Sequence, residues 1–498
     1  MTAQPKNQSQ EAQTQQTQAA PTFPNIAFLG RGYDLLLTDP LDYASGGSRA
    51  TVIALQYKND NVQLVANDHF RFPDSTQNNP DPGGTTSLTF QQMFRQSDYQ
   101  SQFGETATIS GGIPLIAKFS LSESYSQSFS QKSSLQSSTL YTWREVRLVT
   151  VNFTPALDDP PPLVLDTDFA NAVENLSSSS ASDPTYQEFI QQFGTHYTTS
   201  VSFGGRAYQY TVVEASTFSS MIAQSIDVQA GASGAFDIFT GSASGSYNQQ
   251  NTQSYQSATE SSTTLKNFSG GSPFDSWDNW VSSVGGQPVP IALTLAPLSD
   301  LLNGTNFPND PDIATRQSLL ETAITNYLQA NSAPLNNPQP LQSDSTQFYL
   351  VNAGGQYLAR TQDPSESGNL AMVSDPTSSS VFMYNGPSPL APDTFVALTN
   401  NTFGGHVDAG SDGSQVVFTF AENNGYQQTQ LVSVFNNPAS PVSGLGTLPS
   451  NLMTGDQVYV LHKTAGAMQA SGSQVPAVAN PTPGDPSLVW TIVSGNGE

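Results

Sequence analysis

Four histidines, His69, His196, His406 and His462, and no cysteine limit the chemistry open to this chain. Transition-metal sites need clustered imidazole or thiolate ligands, and these histidines are scattered without such spacing. The absence of cysteine excludes thiolate nucleophiles and disulfide frameworks together. No recognised nucleophile motif or phosphate-cradling loop is present, so the chain reads as non-enzymatic, with no cofactor and no metal. The segment DAGSDGS, Asp408 to Ser414, has an acidic spacing that a calcium loop could use, but Asp412-Gly413 reads first as a hairpin turn. Tyr357, Phe403, Tyr426 and Trp490 could stack on sugars, although most read as core.

Two alternations carry a different chemistry. In FSLSESYSQSFS, Phe119 to Ser130, serine holds every even position while the odd ones read Phe, Leu, Glu, Tyr, Gln, Phe. Side chains alternate across a strand, so this segment would present one small hydroxyl face and one mostly apolar face, the pattern of a barrel wall. Its lipid-facing set is Ala117, Phe119, Leu121, Tyr125 and Phe129; Glu123 breaks the apolar parity and Pro114 interrupts the strand before it. The second alternation places Ile226, Val228, Ala230, Ala232, Gly234, Phe236 and Ile238 on one parity, with Asp227, Gln229, Gly231, Ser233, Ala235 and Asp237 on the other. A tilted strand crosses a bilayer in about 9 to 11 residues, which the stretch from Ile226 to Ile238 exceeds.

The composition suits β-structure. Hydrophobic residues make up 36% of the 498, charged residues only 11%, and Gly, Pro, Ser, Thr, Gln and Asn are abundant. Length predicts about two to four domains. Fifteen Lys plus Arg against forty Asp plus Glu give a net charge of −25, the wrong sign for nucleic acid or for simple adsorption to anionic lipid. Membrane contact would therefore need a selective receptor or apolar insertion. The opening residues have no apolar core like that of a signal peptide, and no apolar run is long enough for a helical span.

Along the chain, residues 1–22 read as a disordered Gln-rich tail. A domain over 23–332 is closed by a helix in which Ile313, Leu320, Ile324, Tyr327 and Leu328 share a face. A Pro/Asn-rich linker follows over 333–345. Residues 346–498 then repeat with a period of about 50 to 60 residues. The strands FYLV, FVAL and VYVL open the three units, and VFMY, LVSVF and VWTIV close them. This predicts a C-terminal all-β pseudo-threefold domain that resembles a β-trefoil, with a β-prism as the alternative.

The most informative segment is DPTYQEFIQQFGTHYTTSVSFGGRAYQYTVV. Asp183 and Pro184 start a helix that buries Tyr186, Phe189, Ile190 and Phe193, and Gly194 reads as its left-handed cap. A strand follows, then a bend or bulge at Gly204 and Gly205, then a second strand from Arg206. At these residues the chain resembles the membrane-attack-complex/perforin family: Phe193, Gly194, Thr195, His196, Tyr197, six residues, Gly204 and Gly205. Phe193 stands where Tyr or Trp is commoner. LGRGYDLLLTDP and PVPIALTLAPLSDLL resemble the family's entry and closing strand, so the likeness spans roughly residues 25 to 332. His196 reads as a hydrogen-bonded packing residue, and the paired glycines as a bulge or a pivot.

The resemblance implies an α+β domain whose bent, twisted antiparallel sheet is flanked by two helical clusters, near residues 86–145 and 215–265. Each cluster would unravel into an amphipathic hairpin of a β-barrel pore built by a homo-oligomeric ring. The implied protein is a soluble pore-forming toxin or effector, released without a visible signal peptide, that reaches a target-cell membrane through a glycan, lipid or protein receptor. Bacterial members, insecticidal ones among them, are the nearest in architecture; the alternative is a non-lytic adhesin or lectin that keeps the fold.

Overall fold

Long alternating stretches of sequence become long strands. The computed structural model describes residues 20–37, 41–44, 46–81, 87–94, 98, 107–109, 137–153, 163–242, 248–272, 276–331, 340–360, 368–392, 394–400, 406–409, 416–419, 429–441, 448–449, 451–463, 465–471 and 475–495. In the N-terminal part the strands are β1 (Arg31–Tyr33), β2 (Ser48–Thr51), β3 (Val62–Val65), β4 (Asp68–Arg71), β5 (Thr76–Pro80), β6 (Thr89–Met93), β7 (Ala107–Ile109), β8 (Ser137–Phe153), β9 (His196–Glu214), β10 (Thr263–Ser269) and β11 (Val289–Pro297). β3 and β4 form a separate hairpin, and the other nine make one sheet. The expected antiparallel sheet is therefore mixed at one edge, where β7 runs parallel to β11.

The spine of that sheet is the β8–β9 ladder, which runs from Ser137 opposite Glu214 to Asn152 opposite Ser200. Both strands exchange their outer neighbours half-way. β8 pairs with β6 near its start and with β5 near its end. β9 pairs with β11 from His196 to Gly204 and with β10 from Arg206 to Val212. The expected break between two strands at Gly204 and Gly205 is absent, because β9 runs through both glycines. The irregularity lies on the partner strand, between Arg147 and Val149, where Leu148 is the extra residue. The glycines are needed for close approach: a Cβ on Gly204 would lie 1.9 Å from the Val146 carbonyl oxygen, and one on Gly205 would lie 2.9 Å from the Trp280 ring.

The helices are α1 (Thr167–Glu174), α2 (Pro184–Phe193), α3 (Ala215–Ala223), α4 (Val228–Thr240), α5 (Gln249–Ala258), α6 (Trp277–Ser283) and α7 (Ile313–Asn331). The Asp183 carboxylate caps α2 by accepting from the Thr185 amide, Pro184 fills its first position, and Tyr186, Phe189, Ile190 and Phe193 are buried. Gly194 has the expected positive φ of 83° but an extended ψ of −154°, so it is not a left-handed helical cap. It turns the chain from α2 directly into β9. Ile313, Leu320, Ile324 and Leu328 of α7 are buried in the same core as α2, and Tyr327 is half-buried against it. Apolar residues from Phe23 to Leu328 form this first core. Part of the tail read as disordered is paired: the Pro21 carbonyl accepts from the Arg71 amide at 2.8 Å.

The C-terminal strands are β12 (Phe348–Asn352), β13 (Tyr357–Arg360), β14 (Gly368–Val373), β15 (Phe382–Asn385), β16 (Phe395–Asn400), β17 (His406–Ala409), β18 (Val416–Thr419), β19 (Thr429–Ser433), β20 (Gln457–His462), β21 (Gly466–Met468), β22 (Ala477–Val478) and β23 (Val489–Ser494). Antiparallel pairings run from β12 through β15, β16, β19, β20 and β23 back to β12, closing a circuit. The hairpins β13–β14, β17–β18 and β21–β22 stand off it. Phe348, Leu350, Phe382, Leu398, Val460 and Trp490 belong to the second core. Leu341 is buried there too, and its amide donates to the Leu452 carbonyl at 3.0 Å, so the end of the stretch read as a linker packs with this domain.

Gly194→Ala would place a Cβ 2.4 Å from the Tyr33 carbonyl at a φ that L-residues rarely adopt. Strain of this kind costs about 1–3 kcal/mol before the clash is counted. The substitution is expected to lower the urea midpoint of the N-terminal domain, and a midpoint equal to the parent's would refute the close approach.

Candidate functional site

The signature residues form a seam between α2 and the sheet. His196 and Tyr197 open β9, where they pair with Tyr33 and Gly32 of β1 on one side and with Pro297 and Ala296 of β11 on the other. The Thr195 amide donates to the Tyr33 carbonyl at 2.8 Å, and the Thr195 hydroxyl accepts from the Leu35 amide at 3.3 Å. His196 is fully buried, with Nδ1 2.9 Å from the Thr195 hydroxyl oxygen. Phe193 is equally buried and stacks edge-on with Phe169 of α1. Nearby, Asp34 accepts from Arg49 at 3.0 Å and from the Tyr327 hydroxyl at 2.8 Å, tying α7 to the strand entry. Burial, reinforced by that carboxylate, pushes the Tyr327 phenol well above its usual range.

At the paired glycines lies a group that the sequence reading missed. Glu145 of β8 stands opposite Arg206 of β9. Arg206 donates Nε and Nη2 to Glu145 Oε1 at 2.9 and 2.6 Å, and Nη2 also reaches the Ile291 carbonyl at 2.6 Å. Arg147 donates to the other carboxylate oxygen at 3.0 and 3.1 Å. The side chains of Arg206 and Glu145 are 3% and 6% exposed, so this pair is almost dry. Burial alone would raise the Glu145 pKa, but Arg206 and then Arg147 overcome it and hold the carboxyl below its ordinary value. The available signal was an arginine directly after Gly-Gly in a chain with only fifteen basic residues.

The second alternating segment is a helix over Val228–Thr240. Asp227 caps α4 by accepting from the Ala230 amide, and Gly241 closes it with φ 63° and ψ 21°. As a helix, the even-numbered set no longer shares one face. Val228, Ala232 and Phe236 are buried, Ile226 is buried in the turn before, Ala230 is half-buried, and Ile238 is 50% exposed. The odd-parity residues Gly231 and Ala235 are buried instead. The small residues bring α5 close: a Cβ on Gly231 would meet Tyr255 at 2.5 Å, and one on Gly234 would meet the Thr252 hydroxyl at 2.1 Å. Arg144 of β8 reaches Asp237 at 3.9 Å and the Ser242 hydroxyl at 3.1 Å, tethering the end of α4 to the sheet. Ala117, Phe119, Leu121, Tyr125 and Phe129 of the first alternation, with Pro114 and Glu123, lie outside the described residues.

Of the aromatic residues considered for sugar stacking, Trp490 is fully buried and donates to the Met468 carbonyl. Tyr357 is half-buried beside Tyr349, whereas Phe403, Tyr426 and the Asp412-Gly413 turn lie outside the described residues.

The family model for the MAC/Perforin domain matches residues 14–337. The chain belongs to the MAC/Perforin family. It is 24% identical over 326 residues to the Perivitellin-2 67 kDa subunit of Pomacea canaliculata, which covers 62% of this chain and 55% of that one. The same subunit of Pomacea maculata matches at 24% over 327 residues. The chain thus spans about half the length of the curated relatives it matches. Among solved structures, GNIP1Aa from Chromobacterium piscinae aligns with TM-score 0.47 and 14% identity over 94% of this chain and 82% of that one. A putative cell invasion protein with a MAC/Perforin domain from Bacteroides thetaiotaomicron aligns with TM-score 0.36 and 13% identity, covering 72% of this chain and 70% of that one. In this MAC/Perforin chain no described helix is long and apolar enough to cross a membrane, which leaves β-strand insertion untouched.

Because the folded Glu145 carboxyl titrates below its ordinary value of 4.5, its contribution is complete above that pH and is lost as the pH falls through the lower folded value. Arg206→Ala would leave Glu145 buried without its main partner, at a cost of about 3–5 kcal/mol. Glu145→Gln is expected to lower stability at neutral pH and to flatten its decline below about pH 4.5, read by denaturant titrations across that range. An acid slope identical to the parent's would refute the assignment.

Proposed function

We propose that the protein is a pore-forming toxin or effector: it binds a target membrane, assembles into a ring, and converts two stored segments per subunit into amphipathic hairpins of a β-barrel. The observation that carries this reading is the double design of α4. Its residues satisfy a capped helix with glycines at the α5 contact, yet extended they sort apolar side chains onto one parity over 226–238. A segment that had only to be a helix would not need that second pattern.

The energy source is conformational. Closing a barrel removes strand edges and transfers apolar side chains to lipid, and neither step needs a nucleotide or an enzymatic reaction. Asp227 and Asp237 fall on the lumen parity, where charge is tolerated. In the C-terminal domain we read the closed circuit with three off-standing hairpins as a β-trefoil, because four strands recur in each of three units. This domain is assigned receptor recognition at the target-cell surface. A net charge of −25 favours a specific glycan, lipid or protein partner over adsorption to anionic lipid.

The chain has no native cysteine, so single cysteines can be placed at successive positions from 226 to 238 and labelled with an environment-sensitive dye. On vesicles prepared from susceptible cells, emission is expected to blue-shift at even positions and not at odd ones, together with dye release and rings in electron micrographs. Binding at high occupancy without leakage and without the two-residue period would replace this reading with a non-lytic binding protein.

A further inference from the structure

The α3–α5 cluster is held by two unlike contacts. Towards the sheet lies an open cleft of about 420 Å³ between α5 and strands β9 and β10, lined among others by Gln209, Thr211, Tyr255, Thr259 and Lys266. Gln209 is only 3% exposed, yet its Oε1 has no hydrogen-bond partner among the described residues. The sheet contact is thus polar and open at this cleft, while Leu140 of β8 and Val213 of β9 meet the cluster in an apolar core. Beyond it the cluster is fixed by the Arg144–Asp237 contact and by Phe239 against Phe268 at 4.7 Å.

Towards the C-terminal domain the contact is dry and apolar. In β19 and β20 the residues facing the barrel interior are Leu431, Val458 and Val460, and they belong to that domain's own core. The alternate residues Val432, Tyr459 and Leu461 face outwards and are buried all the same, in a third core shared with Phe218, Ile222, Val228 and Ala232 of the helical cluster. Phe435, just past β19, stacks edge-on with Phe218 at 5.8 Å and lies 4.7 Å from Phe94. The buried Ser219 hydroxyl donates to the Asn436 carbonyl at 2.6 Å. A strand pair apolar on both faces would expose its outer face to water if these helices left.

We propose that the C-terminal β-domain is the clasp that keeps the second helical cluster folded, so that displacement of this domain at the membrane frees α3–α5 to leave the sheet. Its consequence for insertion rests on the pore-forming reading, but the clasp itself is a property of the soluble protein. The β-domain then does two jobs with two surfaces. One meets the receptor, and the outer face of β19–β20 restrains the segment whose release follows.

The test is amide hydrogen exchange on the full chain, comparing the parent with Phe435→Ala and, separately, Val432→Ala. Both substitutions lie outside the helical cluster. Exchange across residues 215–258 is expected to accelerate at least tenfold in Phe435→Ala and measurably in Val432→Ala, while α2 and strands β12 and β16 stay within about twofold of the parent. Unchanged exchange over 215–258 in both variants would overturn the proposal. So would equal acceleration throughout the C-terminal domain, because the lesion would then be in that domain's own fold. If the exchange result holds but the parent binds the cell-derived vesicles at high occupancy and neither it nor the variants release dye from them, the clasp stands and the pore-forming reading falls.

Discussion

The β8–β9 ladder is the interaction on which the remaining structure depends. It is one continuous antiparallel pairing with a single irregularity, and every other strand of the large sheet except β2 and β7 bonds directly to one of its two members. At the irregularity the two backbones approach so closely that only glycine fits at position 204. Directly beside it lies the Glu145–Arg206 pair, bonded also to the backbone of β11. A buried ion pair costs desolvation and contributes little net stability, but a broken one is expensive. It joins β8, β9 and β11 at one point of their shared register.

Beside this ladder, helices α4 and α5 meet through glycines. Gly231 and Gly234 allow close helix packing but contribute no side-chain burial of their own, and glycine inside a helix costs about 0.5–1 kcal/mol relative to alanine. Small residues at this contact let the α4 and α5 backbones approach closely.

With only fifteen basic residues, the chain uses several arginines as structural ties: Arg49 on Asp34, Arg144 on Asp237, Arg206 on Glu145 and Arg316 on Asp310. Guanidinium groups suit this use because they stay charged when partly buried and bond in fixed planar geometry. Among the described residues, the buried carboxylates Asp34, Glu145 and Asp237 each face one of these arginines.

Much of this was legible in the sequence. The signature from Phe193 to Gly205, the capped helix α2, the buried stripe of α7 and the opening and closing strands of the C-terminal repeat all depend on neighbours close in the chain, where periodicity and capping chemistry leave a direct mark. The two-residue alternation over 226–238 was equally readable, but in the folded chain it is overridden by Asp227, Gly241 and the packing of α5. What only the tertiary structure decided are the pairings between distant segments: the unbroken course of β9 past its glycines, the bulge on β8, the contact of Glu145 with Arg206, and the seating of α3–α5 on the outer face of β19–β20. Each depends on which surfaces meet, and a local pattern fixes the face a residue presents without naming the residue that will cover it.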